Sequence, residues 1–171
     1  MKVHYIGLFR WILYSVFLLL VAVVQKVVLG NVTLWGTTFS ILPVAVAAVS
    51  CQSDHESSGI FGLAVGIFWA CLGQSSGAAF TLFLPIGALL AGWFCTHYLT
   101  RGMGAVLLLG ALAVALCEGG IVLQKLYMNE QLPDHFWQLV LRQIVISSLF
   151  APLFWAITKG VERLVGHWKK S

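Results

Sequence analysis

The sequence predicts an all-α polytopic membrane bundle of six spans, or five if the short third apolar run does not cross. Three observations predict it. Hydrophobic residues make up 60% of the 171 residues and charged residues only 9%, whereas soluble domains carry roughly 25% charge. Mean hydropathy is +0.93. The apolar residues also fall in long runs divided by short polar segments, and a spanning helix needs about 20 such residues. One domain, 1–171, accounts for the whole chain, with 158–171 as a basic cytoplasmic tail.

The six runs are 6–28, 32–50, 59–72, 78–98, 104–123 and 137–157. Lys2 and Arg10 precede the apolar stretch 11–28, which ends in Val-Gln-Lys-Val-Val without a small-x-small cleavage site. It reads as a retained helix, not a signal peptide. Pro43, Pro85 and Pro152 interrupt runs two, four and six. Neighbouring helices can satisfy the carbonyls they free.

The connections differ in kind. Segment 51–58 (CQSDHESS) is short and acidic, 73–77 is a Gly/Ser turn, and 124–136 is the longest loop. With both termini on one side, that side receives Lys2, Arg10, Arg101, Lys159, Arg163, Lys169 and Lys170, against Lys26 and Lys125 on the other. Positive residues gather inside, so both termini are expected in the cytoplasm. Trp11, Trp93 and Trp155 fall at inner ends and Trp35, Trp69 and Trp137 at outer ends, as an aromatic belt requires.

The net charge of +4 forms no nucleic-acid patch, and the lipid bilayer is the expected partner instead. Cys51, Cys71, Cys95 and Cys117 lie at irregular spacings without CxxC, so they read as small buried hydrophobes. His4, His55, His97, His135 and His167 lie at run ends or in loops, and Asp54-His55-Glu56 reads as solvated. No metal or cofactor is expected. Gly73-Gln-Ser-Ser-Gly77 spells G-x-S-x-G without a strand or a histidine in reach, so it reads as a turn. Asn31-Val-Thr33 is a sequon set too close to the membrane for glycosylation. No catalytic residue, and no enzyme, is expected.

Two features carry weight inside the runs. Glu118 lies five residues before the end of run five and Arg142 five after the start of run six, at matching depth. Ionisable groups at such depth are costly and tend to face each other. The pair could line a proton or substrate path. A structural ion pair locking the two helices is the favoured expectation, because runs one to four offer no chain of titratable groups. Small residues also recur four apart: Gly62/Gly66, Gly87/Ala91, Ala88/Gly92 and Ala115/Gly119. Such spacing lets helix backbones approach closely. The tail alternates Val161, Leu164, Val165 and Trp168 with Lys159, Arg163, Lys169 and Lys170, suggesting a short amphipathic helix on the inner leaflet.

Phe61-Gly-Leu-Ala-Val-Gly66, the turn at 73–77, Leu84-Pro-Ile-Gly-Ala-Leu-Leu-Ala-Gly92 and Glu118 together resemble the MreD family of bacterial rod shape-determining membrane proteins. The resemblance covers roughly residues 59–123 in detail. It departs from the family at Ala70, near where an Asp is often found. It implies a non-enzymatic scaffold for cell elongation and peptidoglycan synthesis, associated with an MreC-like partner. It also implies a helix arrangement similar to the substrate-binding subunits of energy-coupling-factor transporters. The alternative expectation is therefore a membrane subunit that binds a vitamin-like small molecule.

Overall fold

A computed structural model describes residues 2–29, 33–34, 37–53, 55–73, 77–99, 102–130 and 135–170, with backbone alone at 2–6, 33–34, 37–38, 55 and 167–170. Among the described residues the regular structure is helical apart from one two-rung ladder. Helix α1 (Lys2–Val24) ends in a π-turn, Gln25–Leu29. Strands β1 (Thr33–Leu34) and β2 (Thr37–Thr38) pair antiparallel. Then follow α2 (Ile41–Gln52), α3 (His55–Cys71), α4 (Gly77–His97), α5 (Met103–Tyr127), α6 (Phe136–Ser148) and α7 (Ala151–Lys170).

Among the described residues, four helical stretches are long and apolar enough to cross a membrane: Gly7–Leu29, Gly77–His97, Met103–Tyr127 and Phe136–Gly166. The expected second span is cut short. Run 32–50 begins as the β1–β2 ladder, where Thr33, Thr37 and Thr38 favour extended backbone. Helix starts only at Ile41, and Pro43 sits in its first turn, where a missing N–H costs nothing. Pro43 therefore opens this helix and does not interrupt it. The 12 residues of α2 rise about 18 Å, short of the hydrocarbon thickness.

Every residue of α2 is buried, and it touches all six other helices. It is the axis of the bundle. Around it α1 and α3 run parallel, joined by the Trp11–Phe61 stack (4.5 Å between centroids) near one end and by Lys26 Nζ donating to Leu72 O (2.7 Å) at the other. Helices α3 and α4 form an antiparallel hairpin, and α5 packs antiparallel on α4. The last apolar run breaks at Leu149–Phe150, between α6 and α7, and Pro152 stands as the second residue of α7. In contrast, α4 runs unbroken through Pro85.

The α3–α4 contact explains the small residues. A Cβ on Gly62 would lie 2.8 Å from both Ala88 Cβ and Pro85 Cα, and one on Gly66 would lie 2.9 Å from Thr81 Cα. Only hydrogen fits there. Thr81 Oγ1 then donates to Gly66 O across the gap (3.1 Å) and to Gly77 O (2.8 Å). In a lipid setting, where apolar side chains gain little by leaving lipid, this close backbone approach supplies the dispersion contacts.

Candidate functional site: a buried polar belt

Glu118 lies on the inward face of α5, 7% exposed. Its Oε1 accepts a hydrogen bond of 2.6 Å from Gln143 Nε2 on α6. On α6 the side chain of Gln143 donates to the carboxylate. Successive helical residues point about 100° apart, and Arg142 is exposed beside it. The depth match expected between runs five and six is realised by the amide.

One turn further along α6, Ser147 is fully buried, and its Oγ accepts from Ser40 N at the start of α2 (3.3 Å). On the other side of that start, Gln25 Oε1 accepts from Leu42 N (2.6 Å). Helix starts leave orphan N–H groups. Here Gln25 takes one, Ser147 takes the donor just before the helix, and Pro43 has none to offer. Gln25 itself is 5% exposed. Its neighbour Lys26 caps the far end of α3 at Leu72 O. The wide π-turn, a rare geometry often found at functional positions, places these adjacent residues on two different helices.

The belt therefore runs from Gln25 through the start of α2 and Ser147 to Gln143 and Glu118. Sequence reasoning found only Glu118. The signal for the others was the same one: Gln25 and Gln143 are amides within otherwise apolar stretches. Chemically the belt consists of neutral donors and acceptors around one carboxylate. It offers no nucleophile–base pair, and it joins α1, α2, α5 and α6.

The remaining predicted positions divide clearly. Gly62 and Gly66 face α4; Gly87 faces Ala113 of α5, and Ala88, Ala91 and Gly92 are buried. Ala115 and Gly119 face outward, with nothing within 4 Å of Gly119. Gly120, beside them, is pressed on the Phe83 ring. The tail is no separate element: α7 continues through it to Lys170. Lys159 Nζ lies 4.7 Å above the Trp155 ring and Arg163 is exposed. The side chains of Lys169 and Lys170 lie outside the described residues.

The acidic connection at 51–58 also differs from expectation. Helix runs to Gln52 and resumes at His55, and Ser50, Gln52, Ser53 and Ser58 are all buried. Ser58 Oγ donates to Ser50 O (3.3 Å), binding the two helix ends together. Asp54, Arg101 and residues 74–76 of the G-x-S-x-G turn lie outside the described residues. Among the described residues, Cys51, Cys95 and Cys117 are buried and Cys71 is exposed, and no group of three His, Cys, Asp or Glu could hold a metal. His97 is exposed and within 3.1 Å of Trp93 O of its own helix.

Neither a family model, nor a curated protein, nor a solved structure matches this chain.

Proposed function

We propose that the protein is a non-enzymatic integral membrane scaffold, of the kind implied by its resemblance to MreD proteins of the cell-elongation machinery. The observation that carries this reading is the filled centre. Helix α2, with all twelve residues buried, occupies the place where a binding subunit would need a chamber. The donors at its start are taken by Gln25 and Ser147. The sequence motifs behind the resemblance also meet in one interface, since Gly62 packs on Pro85 and Ala88 of the Leu84–Gly92 motif. A rigid hairpin of this kind suits a platform on which partner proteins assemble.

In this reading the chain crosses the bacterial inner membrane six times, in an order shared with energy-coupling-factor substrate-binding subunits. Helix α2 makes its crossing inside the protein, where short or irregular backbone at membrane depth is tolerated. Both termini then lie in the cytoplasm, and the partner is an MreC-like protein.

Depletion in the source cell is expected to round rod-shaped cells, and purification in mild detergent to recover a partner with a large outer domain. Unchanged shape together with purification of the chain alone would overturn the scaffold reading. Exposed Cys71, at the outer end of α3, should react with an impermeant maleimide added to intact cells. Labelling only after lysis would reverse the topology.

A further inference from the structure

Trp155, Lys159 and Arg163 follow one another at four-residue spacing on α7 and so share one face. Lys159 Nζ stands 4.7 Å over the Trp155 ring, and Arg163 is exposed one turn further on. Neither cation forms an ion pair among the described residues. The segment 158–171 sets Lys159, Arg163, Lys169 and Lys170 against the single carboxylate of Glu162.

The depth of this ridge decides what lies against it. The Ser40–Ser147 hydrogen bond puts the start of α2 level with the end of α6. Helical hydrogen bonds then continue through Phe150 N to Ser147 O and Phe154 N to Phe150 O into α7. Lys159 follows Ser147 by as many residues as Gln52 follows Ser40, so it stands level with the last residue of α2. Across the bundle α3 starts close by, at His55. Gly59 of α3 meets Leu89, and Gly62 meets Pro85 and Ala88, of antiparallel α4. That register carries His55 to the level of Trp93. There Trp93, His97 and Tyr98, all exposed, touch one another with ring centroids 5.4 to 6.4 Å apart. Trp and Tyr gather where hydrocarbon meets water. Lys159 also lies within the candidate span Phe136–Gly166, just past exposed Leu153 and Ile157. Acyl chains therefore cover α7 up to Ile157, and headgroups begin at Lys159.

We propose that Lys159 and Arg163 bind the headgroup of an anionic membrane phospholipid. The ammonium and the guanidinium both donate to phosphate oxygens, and the guanidinium can do so with two parallel bonds. The Trp155 ring beneath Lys159 holds the ammonium to this face by cation–π attraction. An acidic protein segment would have to displace headgroups already present at that depth. The site goes beyond the scaffold role and does not depend on it.

Native mass spectrometry of the full chain in neutral detergent, titrated with phosphatidylglycerol or with phosphatidylcholine, tests this. Each cation near a lipid surface favours a negative charge by about fivefold, so phosphatidylglycerol should bind roughly 25-fold more tightly. Lys159→Gln and Arg163→Gln should each weaken phosphatidylglycerol about fivefold and leave phosphatidylcholine unchanged. Lys159→Arg keeps the charge and should keep the preference. Lys125→Gln, at the other end of the bundle, should change neither lipid. Inorganic phosphate at the same concentration should not displace the lipid. Equal affinity for the two lipids in the unaltered chain overturns the proposal even where a variant fails to fold. So does an equal loss in Lys125→Gln, or displacement by inorganic phosphate, which would make the ridge a site for soluble anions.

Discussion

Gln143 Nε2 donates to Glu118 Oε1 across 2.6 Å, so the carboxylate inside α5 is met by a neutral amide of α6. A buried acceptor that loses its donor bears its desolvation cost alone. Gln143→Leu should therefore destabilise the protein by about 1–3 kcal/mol. In membrane proteins, couplings measured across such bonds average about 0.6 kcal/mol with a maximum near 1.7. A double-mutant cycle of Glu118→Ala with Gln143→Leu, read by unfolding in detergent, should fall in that range. The same cycle with Arg142→Leu is the comparison. If Arg142 couples to Glu118 more strongly than Gln143 does, the amide is not the main partner.

The small residues should separate into two classes. Gly66→Ala forces a methyl against Thr81 Cα and should cost about 1–3 kcal/mol through overpacking. Gly119→Ala meets nothing within 4 Å and should gain about 0.5–1 kcal/mol from helix propensity. Equal losses at both sites would mean that the α3–α4 contact is not the tight one.

Adjacent residues in the π-turn should differ in a definite order. Gln25→Leu leaves the buried Leu42 N–H without its acceptor and should cost about 1–3 kcal/mol. Lys26→Met removes a half-buried bond to Leu72 O and should cost about 0.5–1.5 kcal/mol. Thermal unfolding in a single detergent gives both values. The reverse order would place the weight on the α3 cap and not on the start of α2.

Ser50 Oγ is buried with no hydrogen-bond partner among the described residues. Ser50→Ala removes that uncompensated hydroxyl while keeping the backbone, so stability should hold or rise by about 1 kcal/mol. A loss above that figure would reveal a partner, such as a bound water, at this position.

Thiol reactivity offers a check on the bundle. Cys71 should label rapidly in the folded protein, and Cys51, Cys95 and Cys117 only after unfolding. Fast labelling of Cys117, next to Glu118, would mean that the α5–α6 contact opens.

By itself the sequence determined that this is a helical membrane bundle, because continuous apolar runs of about 20 residues fit spanning helices and not the alternating strands of a barrel. It also placed Glu118 at an interhelical contact and marked Gly62 and Gly66 as close-packing positions, since a lone carboxylate and a four-residue spacing have local meaning. Which neighbours they meet was beyond it. Gln143 donates to Glu118 because of the rotation of α6, and α4 receives the glycines because of how the α3–α4 hairpin closes. The pairing of β1 with β2 and the shortness of α2 escaped hydropathy altogether. An apolar stretch buried within protein carries the same composition as one that spans lipid, and only packing against the other six helices separates the two.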